Sequence, residues 1–178
     1  WDHFRQVIAE RAPDVAALTM MSVDYNPAMR CLEIIREVNP RIVTMVGGPH
    51  PTIMPDELLA NSHIDHIFVG EGEETFPDAL DKLARGEEVP RIVPGTHPDL
   101  DAMPYADHSL FIEEWRAQGY EVTSPESPFA EELPPPFVTI IAGRGCMYNC
   151  SYCQPAERHI FGRKVRRRSV GNVMKELR

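Results

Sequence analysis

The stretch GRGCMYNCSYCQP, residues 143–155, sets Cys146, Cys150 and Cys153 within eight residues at C-x3-C-x2-C spacing. Thiolates this close converge on one metal centre. Four would close a tetrahedral zinc site or complete the protein ligands of an iron–sulfur cluster. Three leave a metal position open, and an open position can take a substrate or cofactor. Two other chemistries compete for the same residues. Structural zinc prefers two paired knuckles, and the remaining cysteine, Cys31, falls mid-helix beside Leu32, where a lone thiol behaves as a small hydrophobe. A thioredoxin-type Cys150-x-x-Cys153 pair would open a helix and leave Cys146 without a task. A three-thiolate [4Fe–4S] cluster, whose unique iron can hold another ligand, fits the spacing better.

The rest of the chain must position that loop. Hydrophobic residues make up 43% and charged residues 25% of the 178, the balance of a soluble globular protein. No apolar run approaches the ~20 residues of a membrane span. The opening WDHFRQVIAERAPDV is a polar amphipathic helix pattern, not a signal peptide. Four cysteines, three of them clustered, do not form a secreted disulfide framework and predict a cytoplasmic setting where thiols stay reduced. The net charge of −9 is uneven. Residues 1–136 hold 9 Lys/Arg against 25 Asp/Glu, or −16; residues 137–178 hold 9 against 2, or +7. Opposite signs predict two domains, the basic one facing something anionic. RKVRRR (163–168) has the composition of a nucleic-acid patch, but the acidic first segment is a partner within the chain, so no nucleic acid is expected.

Helical patterns over 2–12, 27–38, 55–61 and 73–86 alternate with apolar runs at VAALTMMSV (15–23), RIVTMV (41–46) and DHIFVG (65–70). Short strands apolar on both faces, separated by helices, predict a parallel sheet wrapped by helices. Ligands in such sheets sit at the carboxyl ends of the strands. Those ends here are Ser22-Val23-Asp24, Gly47-Gly48-Pro49-His50 and Gly70-Glu71-Gly72. Glycine there permits positive φ and close approach of the backbone to a ligand. Glu71 and Glu73 are placed to cap the helix over 73–85. Residues 94–136 hold eight prolines and no periodicity, which predicts a crossing segment. FVTIIAG (137–143) predicts a new strand leading directly into the cysteine loop.

The loop, with Tyr152 before its last cysteine, resembles the radical S-adenosylmethionine enzymes. VTMVGGPHPT, FVGEGE, DLDAMPYADHSLF and GRKVRRRSVGNVMKEL are similar to the branch with an N-terminal cobalamin-binding domain, and the likeness covers nearly the whole chain. The resemblance implies an α/β fold: a partial Rossmann-like, flavodoxin-order cobalamin domain over 1–96, an interdomain linker over 97–136, and over 137–178 the first β/α unit of a TIM-type barrel. VAALTMMS, IVTMVGG and HIFVG would be the third, fourth and fifth strands of the first domain, so the chain reads as a piece of a longer protein, with VAALTMMSV as an apolar sheet edge. Cys146, Cys150 and Cys153 carry over as ligands of a [4Fe–4S] cluster whose fourth iron is chelated by S-adenosylmethionine. One electron then cleaves the sulfonium to a 5′-deoxyadenosyl radical.

By the same resemblance Tyr152 is a cofactor contact, and Ser22, Gly47, Gly48, Gly70 and Gly72 are the contacts to cobalamin. His50 is expected to be a turn residue and not a cobalt ligand. The implied function is methyl transfer to an unactivated carbon of a small-molecule substrate, with flavodoxin or ferredoxin as electron donor. The alternatives are an oxidative cyclase of the magnesium-protoporphyrin ester type and a non-catalytic cobalamin- or cluster-binding module.

Overall fold

The computed structural model describes residues 1–107, 117, 140–148, 150 and 155–177. The chain divides into two compact units: Trp1–Pro98 with Gly145–Val165, and Asp99–Arg144 with Arg166–Arg178.

The first unit opens with α1 (Asp2–Arg11) and β1 (Val15–Thr19), then a 3-10 turn at Ser22–Asp24 leading into α2 (Tyr25–Val38). β2 (Val43–Gly47), α3 (Pro49–Ile53), α4 (Pro55–Leu59), β3 (His66–Val69), α5 (Thr75–Ala84) and β4 (Ile92–Pro94) follow. The strands form one parallel sheet in the order β1-β2-β3-β4. Val15 pairs with Val43 and Thr19 with Gly47, Val46 pairs with Ile67, and Ile67 with Ile92. Side chains alternate across the pleat, so neighbours along a strand serve opposite faces. Val46 and Ile67 join Met20, Leu32, Leu58 and Ile64 on one face. Met45 and Phe68 join Ala79, Val89 and Val93 on the other. Both faces are covered, as a parallel sheet requires.

The three expected strands are present. β1 is shorter than its apolar run, because Met20 ends the sheet pairing and Ser22–Asp24 turn into α2. Within Trp1–Pro98, α3 and β4 went unread. α3 occupies Pro49-His50-Pro51, which looks like a rigid turn; both prolines fall in a helical first turn, whose N–H groups have no intrahelical acceptor anyway. β4 is a fourth parallel strand of three residues beside β3. Ile67 N donates to Arg91 O (2.7 Å) and Gly95 N to Val69 O (2.6 Å), so odd-numbered residues face β3 and the nitrogens of Pro90 and Pro94 face away.

A polar clamp ties β2 to the start of β3. The Asp65 carboxylate accepts from Arg36 Nη2 (2.6 Å), the Thr44 amide (2.7 Å) and Thr44 Oγ1 (3.1 Å). Burial pushes the Asp65 carboxyl up, but the Thr44 amide and the Arg36 guanidinium outweigh it and hold the group below its ordinary value. A carboxylate depressed in the folded state contributes stability above its unfolded value of about 3.9, and loses it as pH falls through the folded value. Asp65→Asn should therefore lower the melting temperature at pH 7 and flatten the fall seen below pH ~4. Melts across pH 2–7, followed by circular dichroism, check this; parallel curves for the two proteins would refute it.

In the second unit, β5 (Gly143–Arg144) pairs antiparallel with β6 (Arg166–Arg167). Of the strand expected over 137–143, residues 137–139 lie outside the described residues, 140–142 are irregular and Gly143 enters β5. Pairing starts only where Gly143, whose added Cβ would sit 2.8 Å from Arg166 O, lets the two backbones meet. No barrel is formed among the described residues. α7 (Val170–Glu176) is capped by Ser169, whose hydroxyl accepts from Asn172 N (3.1 Å). Asp101 Oδ1 accepts from Ser169 N (2.7 Å), and Arg168 bonds Asn172 Oδ1, Ile141 O and Glu176. α6 (Pro155–Phe161) belongs to the first unit and packs on α3. Among the described residues no helix is long and apolar enough to cross a membrane.

Candidate functional site

The cysteine loop leaves Gly145 at φ +94, with an added Cβ 2.5 Å from Lys164 O, so the backbone just before Cys146 lies flush on the segment after α6. Only glycine fits there. Cys146 is half-buried and Cys150 exposed, and both carry free thiols. Cys153 and Tyr152 lie outside the described residues. Cys31 sits in α2, and burial pushes its thiol up, the behaviour of a packing residue and not of a reactive one.

At the carboxyl ends of the strands, a groove of about 210 Å³ is lined by Ala17, Thr19, Met45, Gly47, Phe68 and Gly72, among others. Its walls are mostly apolar, with Phe68 braced edge-on by Phe76 (5.4 Å between centroids). A Cβ at Gly47 would stand 3.5 Å from Phe68 Cβ, so the missing side chain keeps the groove open at its floor. A flat, largely apolar group on the end of a larger ligand fits this space. Gly47 and Gly72 both line this groove.

Gly48 serves the fold. At φ +101 it is the N-cap of α3, and an added Cβ would lie 2.7 Å from Thr19 Oγ1 and 3.1 Å from Met20 N. Gly70, also expected to contact cobalamin, follows β3 directly. Its amide already donates to Thr52 Oγ1 (2.9 Å), whose hydroxyl donates in turn to Gly48 O (2.8 Å). Thr52 thus stitches the ends of β2 and β3 together through α3. The sequence held the signal, a threonine four residues after Gly48, but it reads as one only once 49–53 is known to be helical.

Ser22 and His50 form a second cluster. His50 is buried, its Nδ1 3.0 Å from Ser22 Oγ, its ring edge-on to Tyr25 at 5.2 Å. Among the described residues its Nε2 has no hydrogen-bond partner, and it stands 3.7 Å from the Glu57 carboxylate. The Ser22 hydroxyl, expected to meet a ligand, is engaged here with the imidazole. Neither residue lines the groove.

A third cluster was not anticipated. Glu71, 3% exposed, places Oε1 3.1 Å from His97 Nδ1, and Glu74 Oε2 accepts from Thr96 Oγ1 (2.6 Å). Glu71 is therefore not the helix cap the sequence suggested; Glu74 holds that position. The cause is the unread β4, which brings residues 95–97 against 71. Gly95 is required there, since an added Cβ would lie 2.2 Å from Glu71 O.

Comparison with known proteins matches residues 1–80 to the B12 binding domain family. The chain is 26% identical over 97% of its length to a protein of Pyrococcus horikoshii named as an uncharacterised methyltransferase. It is 25% identical over 99% of its length to the cytidylyl-2-hydroxyethylphosphonate methyltransferase of Streptomyces wedmorensis. Over 99% of its length it is also 26% identical to the anaerobic magnesium-protoporphyrin IX monomethyl ester cyclase of Rubrivivax gelatinosus. The chain spans 38%, 39% and 32% of those relatives' own lengths. Residues 1–80, which hold β1, β2, β3 and the residues lining the strand-end groove, are similar to the B12 binding domain family.

Proposed function

We propose that this chain is part of a cobalamin-dependent radical S-adenosylmethionine enzyme that transfers a methyl group to an unactivated carbon of a small-molecule substrate. The observation that carries the reading is the joining, in one chain, of a B12-binding domain with a C-x3-C-x2-C loop that leaves one iron open. The methyltransferase names of the first two relatives support methyl transfer. The cyclase name of the third keeps ring formation as the second reading.

When bound, the cluster supplies one electron to the sulfonium of S-adenosylmethionine, and cobalamin carries the methyl group. This chain's residues hold and orient. Cys146, Cys150 and Cys153 take three irons, and Gly145 lets the loop close on Lys164. The Gly47 and Gly72 backbone and the Phe68 face receive the apolar end of cobalamin, while Thr52 fixes the two strand ends at one spacing. A cytoplasmic setting keeps the three thiols reduced, and flavodoxin or ferredoxin is the class of donor that delivers the electron.

The decisive experiment is anaerobic reconstitution of the full-length protein, with iron, sulfide and cobalt analysis and an assay for 5′-deoxyadenosine. Stoichiometric zinc in place of iron, or no 5′-deoxyadenosine, would sink the reading. His50 supplies a further test. Its Nδ1 is held by Ser22 and its ring by Tyr25, apart from the groove. His50→Ala should lower stability by about 1–3 kcal/mol, through the lost bond and packing, yet leave the cobalt absorption spectrum unchanged. A shift from nitrogen-ligated to water-ligated cobalt in the variant would reassign His50 as an axial ligand.

A further inference from the structure

Most cations of the first unit are spent internally. Arg5, Arg30, Arg36, Lys82 and Arg85 each pair with a carboxylate, and Arg91 caps three carbonyl oxygens. One run differs. Arg158, His159, Arg163 and Lys164 lie within seven residues, and among the described residues none of their side chains forms an ion pair or hydrogen bond. Arg158, His159 and Arg163 line an open cleft of about 210 Å³; His159, Arg163 and Lys164 are exposed and Arg158 half-buried. This chain carries 27 acidic residues against 18 Lys and Arg, so internal partners are plentiful. A cluster left unneutralised in such a chain is available to an external anion.

Its position says which. α6 begins two residues after Cys153, and Lys164 is the residue on which Gly145 closes the cysteine loop. The run therefore follows the cysteine loop in the chain, and at Lys164 its backbone lies against the entry of that loop. We propose that the surface formed by Arg158, His159, Arg163 and Lys164 docks an acidic electron-transfer protein, the donor that reduces the cluster; this rests on the cluster reading above. The step is a single electron transfer: the donor is oxidised by one electron, the cluster reduced by one, and no bond or atom moves. The surface is too short for a nucleic-acid track, and the −16 of residues 1–136 repels an extended polyanion. A folded acidic protein need present only one local patch.

The test uses the full-length protein with its cluster reconstituted, reduced flavodoxin as one reductant and dithionite as the other, each followed by loss of cluster absorbance. Wild-type reduction by flavodoxin should slow as salt rises. In Arg158→Glu/Arg163→Glu it should be about tenfold slower at low salt and nearly independent of salt. Reduction by dithionite should proceed alike in both. If the double variant takes up less iron, Arg163→Ala/Lys164→Ala, both on exposed side chains, provides the same comparison with a smaller fold-change. Equal flavodoxin rates at equal iron content would overturn the docking surface and leave the cluster standing. Loss of single-stranded RNA binding at low salt, with flavodoxin rates unchanged, would reassign the surface to nucleic acid. Absence of iron from the wild-type protein itself would overturn both readings together.

Discussion

Replacing Cys146, Cys150 or Cys153 singly by alanine in the full-length protein should abolish cluster assembly, taking bound iron from about four per chain to near zero. Cys31→Ala should leave iron and sulfide unchanged. The difference follows from placement. The first three share one loop, entered through a glycine that lies directly on Lys164 O, while Cys31 is fixed in α2 with its thiol pushed up by burial. A three-thiolate site has no spare ligand, so loss of one is not made good by a neighbour. Iron and sulfide analysis after anaerobic reconstitution, with the visible absorption band as a second readout, gives the answer. Retention of a cluster by any of the three alanine variants, or its loss on Cys31→Ala, would overturn the ligand assignment.

Gly48→Val should unfold much of the first unit, and Gly47→Ala should fold but, on the proposed function, bind cobalamin poorly. The two glycines are adjacent but do different work. At Gly48, a β-branched residue must adopt φ +101, and its Cβ meets Thr19 Oγ1 at 2.7 Å. Backbone strain and overpacking together cost about 2–6 kcal/mol, against a typical domain stability of about 5–15 kcal/mol. At Gly47 the added methyl has ordinary contact distance to Phe68, so the fold survives while the groove narrows. Urea melts separate the two outcomes, and cobalamin titration by absorbance completes the pair. A Gly48→Val protein as stable as wild type, or a Gly47→Ala protein with unchanged affinity, would contradict this division of labour.

The sequence made the three long strands plain because VAALT, VTMVG and HIFV are apolar on both faces, and only a sheet covered on both sides accommodates that. It made the strand ends plain because Gly47 and Gly72 follow such runs. β4 was illegible: RIVP is too short for a period and ends in proline, which usually argues against a strand and is tolerated here only at the edge. Missing β4 meant missing Glu71 and His97 as a pair, since nothing but the added strand brings position 97 to position 71. Ser22 with His50, and Thr52 with Gly70, were hidden for a related reason. Their contacts span 28 and 18 residues, and which polar group takes which partner is decided by how α3 packs, not by local pattern. At residues 140–142 the apolar run forms no strand, since such a run is permission for a strand and not a partner for one.

The alternation along β4 also decides where the sheet can accept another strand. On its outer margin the nitrogens that face away belong to Pro90, Ile92 and Pro94, so two of the three donors needed by an incoming chain do not exist. On the opposite margin β1 has its full set of amides, and among the described residues it pairs only with β2. Any strand added to this sheet, from a longer chain or from another molecule, therefore joins beside β1 and not beside β4.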